Sequence, residues 1–288
     1  MRATALGPDQ LGEGLCWEGG SEALWRVDIL AGLVHRSHRP LRARPSEQTT
    51  AFDGEVGFAL PRRGGGMVVG VEQDLILVEP DGSRRRLLQL DEAPAIRFND
   101  AACDAQGRLW AGTFARDRRE GSAALYRVDP DGAIECVLEG LTISNGLGWL
   151  SGGNVLHHVD SPTQRLVAFD VDVERGRIGA PRIVAAFEPA DGMPDGLCID
   201  SQDGTWVALF GGSEIVRLGP EGNITARLSL PVPHVTNVCL GGSDGRDLFI
   251  STTRHRLAPA QLAGLPSAGY VFHDRADVGA DPALPFAG

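Results

Sequence analysis

A short pattern recurs six times along this chain, and an internal repeat restricts the possible folds more than any other property of a sequence. Its best-preserved copy is Pro194-Asp195-Gly196-Leu197-Cys198-Ile199-Asp200, where an acidic or amide residue, a small residue, an apolar residue and often a cysteine follow in order. The order returns in Glu13-Gly14-Leu15-Cys16, Asp100-Ala101-Ala102-Cys103 and Asn145-Gly146-Leu147-Gly148, with weaker copies in Val56-Gly57-Phe58-Ala59 and Thr236-Asn237-Val238-Cys239. The lead positions 13, 56, 100, 145, 195 and 236 are thus ~40–50 residues apart, the period of a four-stranded propeller blade. A unit of that size cannot bury its apolar face alone and must stack on its neighbours. The expected fold is all-β: one domain over residues 1–288, a six-bladed β-propeller of four-stranded antiparallel blades.

Equivalent places in successive blades fall on one ring about the central axis. Glu13, Asp100, Asn145 and Asp195 all carry side-chain oxygen at the lead position. Converging oxygens outline a hard-cation site. Asp, Asn and Gly also punctuate strand starts in ordinary β proteins, which accounts for any one of these residues better than for four at one register.

Short apolar runs with period-two alternation and Gly/Asp breaks fill each period. Only three strands are evident in the last blade, at residues 238–240, 247–252 and 269–272. The alternating run at residues 2–7 is therefore expected to supply the fourth, closing the ring and removing an open sheet edge. Residues 37–53 read largely as connection with room for an outer strand, residues 259–264 as a short helix, and the Ala/Pro/Asp-rich tail after Asp274 as irregular. His157 and His158 must face opposite sides of their strand, which favours buried or edge roles over a shared metal.

A net charge of −11 with pI near 5.1 argues against nucleic acid or an anionic membrane as partner. Arginines cluster at Arg62-Arg63, Arg84-Arg85-Arg86 and Arg118-Arg119, each beside turn residues, and read as solvated loops. The five cysteines include no CxxC pair, and Cys16, Cys103, Cys198 and Cys239 share one place in the repeat, as small core residues would. The first residues hold no apolar signal-peptide core and no run approaches a membrane span, so the cytoplasm is the expected location.

Beyond the repeat, specific stretches resemble the family of gluconolactonase, regucalcin and related sugar-lactone hydrolases, also known as SMP-30. They are Leu11-Gly12-Glu13-Gly14, Arg97-Phe98-Asn99-Asp100, residues 107–113, Ile143-Ser144-Asn145-Gly146-Leu147, Asp160-Ser161-Pro162 with Ala168-Phe169-Asp170, and Pro194-Asp195-Gly196. The resemblance independently implies a six-bladed propeller. It further implies one divalent cation on the axis held by Glu13, Asn145 and Asp195, with Asp100 near the metal, and a substrate held by Arg97 and Asn99. Some members add a glutamate after the Gly-Thr pair; ungapped counting places Asp117 there.

The chemistry implied is hydrolysis of a sugar (aldono-) lactone, a cyclic ester, to the aldonic acid. A cation polarises the carbonyl and acidifies a water, Asp195 is the candidate general base, and Arg97 and Asn99 orient the sugar by hydrogen bonds. Oxygen ligation suits Ca²⁺, Mg²⁺ or Mn²⁺, and Zn²⁺ or Fe²⁺ also accept it. Two alternatives stand beside this reading: a calcium-binding regulator with little catalysis, and a hydrolase of other esters or phosphotriesters. A plain interaction propeller would not need four oxygens at one register.

Overall fold

A computed structural model describes the whole chain, residues 1–288. Six antiparallel sheets surround one axis. Blade one comprises Gly12–Glu18, Ala23–Asp28, Leu33–His38 and Ser46–Ala51; blade two Val56–Pro61, Met67–Val71, Asp74–Val78 and Arg84–Gln89; blade three Ile96–Cys103, Leu109–Ala115, Ala123–Val128 and Ile134–Leu141. Blade four contains Ser144–Trp149, Val155–Asp160 and Arg165–Asp172, and its outer edge is divided between Arg177–Ile178 and Arg182–Ala186. Blade five is Met193–Ile199, Thr205–Phe210, Glu214–Leu218 and Ile224–Ser229. Blade six is Val235–Gly241, Asp247–Thr252 and Phe272–Arg275, completed by Arg2–Ala3 from the start of the chain. The ring closes as the sequence predicts, with Arg2 opposite His273 and Ala3 opposite Phe272.

The repeated pattern lies on the inner strands, which touch one another in cyclic order around the axis. Each slips register against its neighbour at or beside the lead residue: between Glu13 and Cys16, Val56 and Phe58, Phe98 and Ala101, Ser144 and Leu147, Pro194 and Leu197, and Val235 and Asn237. A bulge interrupts the strict in–out alternation and re-aims a side chain. Polar residues thereby leave apolar strands toward the axis. The small residue after the lead has a steric cause as well. A Cβ on Gly146 would lie 2.6 Å from backbone atoms of Asp195 and Leu197, and one on Gly57 only 2.4 Å from the Phe98 carbonyl oxygen.

Between blades, the core is apolar and aromatic. Trp17 of blade one stacks on Phe249 of blade six at 5.8 Å, while Phe58 meets Phe98 and Trp110 meets Trp149 edge-on across the next boundaries. Burying such a ring contributes ~1.5–3 kcal/mol, so these pairs fasten blade six to one, two to three and three to four.

Several expectations are corrected in detail. Within residues 37–53 the outer strand is Ser46–Ala51, which pairs along its length with Leu33–His38, and the rest is mostly connection. This strand is exposed at nearly every position and so carries no apolar alternation. The third strand of blade six is Phe272–Arg275, a few residues later than expected, and the closing strand is only Arg2–Ala3. The helix Pro259–Gly264 forms as read. The tail has no strand, yet it is anchored: Phe286 is fully buried, its N–H donates to the Pro61 carbonyl at 3.0 Å, and its carbonyl accepts from Arg63 N–H at 2.8 Å. All five cysteines are free, with Cys16, Cys103 and Cys239 buried. No helix is long and apolar enough to cross a membrane.

Candidate active site

The bulged inner strands deliver Glu13, Asn145 and Asp195 to the floor of one cleft of about 260 Å³. Arg97 and Asn99 stand in its wall, with Glu55 and Arg116 beside them. Asp100 lines a second cavity, of about 350 Å³, walled by the continuation of the same inner strands and shared with Asn237. The ring of oxygens therefore stands between two cavities, and its members divide between them.

Glu13, Asn145 and Asp195 are each less than a tenth exposed, and no arginine forms an ion pair with Glu13, Asp100 or Asp195. Burial, then the Asp100 carboxylate, pushes Glu13 up to about 8, against the opposing hydrogen bonds of Gly14 N–H and Asn237. Burial raises Asp100 to about 6. Asp195 is raised as well, by burial and then by Glu13 and Asp100, while Asn145 pulls the other way. Three desolvated carboxylates thus repel one another, and the Arg97 charge offsets this only in part, at Glu13. Buried like charges of this kind either take up protons or pair with a positive ion.

Asn145 Nδ2 donates to Asp195 Oδ1 and to Ser161 Oγ, the latter at 3.1 Å. The set is one amide and two carboxylates, all of hard oxygen, and fits a divalent cation of the Ca²⁺, Mg²⁺ or Mn²⁺ type by donor chemistry. Nowhere do three acidic, histidine or cysteine side chains converge as a metal cluster on their own. Such a centre needs oxygen beyond the carboxylates, which the amide of Asn145 offers.

Arg97 is almost wholly buried. Its Nε donates to Glu55 Oε2 at 2.7 Å, and one terminal nitrogen donates to the Phe98 carbonyl at 2.7 Å and to Asn99 Oδ1 at 2.8 Å. Its guanidinium also lies 4.7 Å from the Phe114 ring centre. Burial lowers it to about 10, with Glu55 opposing, so it remains cationic at neutral pH. Asn99 Nδ2 donates to the Ser144 carbonyl at 2.9 Å. Both side chains are fixed in the cleft wall, each with hydrogen-bonding capacity left over.

Asp117 does not join them. It is exposed on the turn after Leu109–Ala115, accepts from Arg119 N–H at 3.1 Å, and is absent from the cleft lining. Its neighbours Arg116 and Arg118 line the cleft instead. Arg118 is exposed, as a solvated loop residue would be, and it also borders the cleft. His157 and His158 are buried and engaged elsewhere, with Thr205 Oγ1 at 2.9 Å and Ser144 Oγ at 2.8 Å.

Glu55 and Asn237 escape the sequence reading for one reason. In blade two the acid stands one residue before the apolar lead Val56, and in blade six the amide stands one residue after Thr236. Both positions adjoin a register shift. Scanning one residue either side of each lead would have found them.

With the site in view, comparison with known proteins decides the family: the SMP-30/gluconolactonase/LRE-like region matches residues 11–254. The chain belongs to that family. Among its curated relatives, 6-deoxy-6-sulfogluconolactonase of Pseudomonas putida is 32% identical over 282 residues, covering 96% of this chain and 95% of the relative. Regucalcin of Danio rerio is 32% identical over 268 residues, covering 92% and 90%. A solved structure described as a calcium-binding protein, regucalcin, from Agrobacterium tumefaciens superposes with a TM-score of 0.92 at 22% identity, covering 99% of this chain and 97% of that one. That structural likeness shows the fold. The SMP-30/gluconolactonase/LRE-like propeller is thus common to proteins named as lactonases and as calcium binders.

Proposed function

We propose that the protein hydrolyses a sugar lactone to its aldonic acid with a divalent cation held by Glu13, Asn145 and Asp195. The observation that carries this reading is the group of three desolvated carboxylates, none ion-paired to an arginine, at and beside the floor of a cleft walled by Arg97 and Asn99. Family membership and the named activity of the Pseudomonas putida relative support lactone as the substrate class. When bound, the cation supplies Lewis-acid polarisation of a carbonyl oxygen and makes a water more acidic.

The remaining work falls to the chain. Arg97, locked by Glu55, and Asn99, locked by Ser144, present fixed donors that orient the sugar oxygens. Asp195 accepts a proton from the attacking water as its oxygen bonds to the lactone carbonyl carbon. Breaking the ring C–O bond then releases the acid, and the ring oxygen leaves as a hydroxyl after taking up a proton.

The test is acid release from a panel of aldono-1,4- and 1,5-lactones by chelated protein reconstituted with each cation in turn. Cation-dependent turnover is expected. Tight calcium binding without turnover of any lactone would instead favour the regulator reading, which the likeness to regucalcins supports.

A further inference from the structure

Arg118 and Arg256 come from opposite sides of the ring, since Arg118 follows the second strand of blade three and Arg256 follows the second strand of blade six. Their loops nevertheless lean toward each other over the same cleft, and both residues line it together with His255. Each has a left-handed backbone, with φ of 55° and 63°, a conformation that a non-glycine residue keeps only when its surroundings impose it.

These two guanidiniums differ from the others in the cleft. Arg97 is tied to Glu55, and Arg116 bridges Glu55 and Glu72. Arg118 and Arg256 form no ion pair, and neither side chain donates a hydrogen bond to the protein. Burial, and after it the Arg256 charge, holds the Arg118 pKa below its usual value. No carboxylate offsets it. Two unpaired cations brought together over a site, in a protein of net charge −11, attract an anion to the cleft.

We propose that the lactone carries an anionic substituent at the end remote from its carbonyl, and that Arg118 and Arg256 hold that group at the cleft mouth. This rests on the lactonase reading and names its substrate class. With the carbonyl at the acidic floor near Glu13 and Asp195, an anion is tolerated only at the far end, where the arginines are. Guanidinium forks donate to phosphate, sulfonate or carboxylate oxygens alike, so the shared requirement is a terminal oxyanion.

The experiment pairs glucono-1,5-lactone with its 6-phosphate as substrates, using cation-reconstituted protein. Gluconate, 6-phosphogluconate and glucarate are compared by calorimetric binding, glucarate supplying a terminal carboxylate. Wild-type protein should prefer the anionic member by about tenfold or more, the size of a charged hydrogen bond, and the preference should weaken with added salt. In an R118Q/R256Q double variant the anionic-to-neutral ratio should fall close to unity. In R118K/R256K, which retains the charges, part of the preference should return. Equal handling of both members by wild type, or a preference that survives R118Q/R256Q in folded protein, overturns the proposal. Should no lactone be turned over, the lactonase reading fails, while binding of 6-phosphogluconate over gluconate still decides the anion site.

Discussion

Arg97 Nε lies 2.7 Å from Glu55 Oε2, joining the inner strand of blade three to the residue that precedes the inner strand of blade two. The orientation of a candidate substrate-binding group is therefore set by the contact between two blades. Arg97→Ala should reduce kcat/KM on the best lactone by about tenfold or more, since a charged hydrogen bond is worth ~1.5–3 kcal/mol. Glu55→Gln should produce a smaller loss in the same direction by loosening Arg97. Steady-state kinetics with circular dichroism as a fold control checks both. Unaltered kinetics in Arg97→Ala would remove Arg97 from substrate binding.

Asp195→Asn separates ligand from base. An amide keeps the shape and one oxygen, as Asn145 already does in this ring, but cannot take a proton from water. Turnover at saturating cation should fall by ~10²–10⁴, with the propeller intact. A variant with full cation occupancy and near wild-type kcat would show that Asp195 is only a ligand and that another group is the base.

The chelated protein should lose stability as pH rises from about 6.5 to 8. Glu13 has a folded pKa of about 8 against an unfolded value of 4.5, so the folded state holds the extra proton in this window and gives it up at a cost as pH rises. Buried His157 and His158, lowered to about 4, act oppositely: their stabilising effect is complete above about 6.5 and is lost as pH falls toward 4. Between 6.5 and 8 the histidines no longer contribute to the slope, and Asp195, raised beside Glu13, acts in the same direction as Glu13. Thermal melts of chelated protein should show Tm falling over this range, with saturating cation or Glu13→Gln flattening the curve. A flat curve for chelated wild type would contradict the buried acidic ring.

Phe286→Ala should destabilise the fold by ~3–5 kcal/mol, the usual cost of emptying a buried aromatic site. Phe286 is fully buried and belongs to the core cluster of blades one to three. Denaturant titration measures the loss. A change below ~1 kcal/mol would mean that the tail only covers the propeller and does not hold it together.

The number of blades, the place of each inner strand and three of the cleft-floor residues were legible in the sequence, because a repeat obliges equivalent positions to share a ring. Glu13, Asn145 and Asp195 stand at one register and reach one cleft. Tertiary structure alone decided what depends on neighbours between blades. It divided the ring, placing Asp100 in the second cavity, because a bulge shifted by a residue changes where a side chain points. It also set Asp117 aside and brought Arg118 opposite Arg256. Loop conformation has no period for a sequence to display, and charges from blades three and six meet only once the ring has closed.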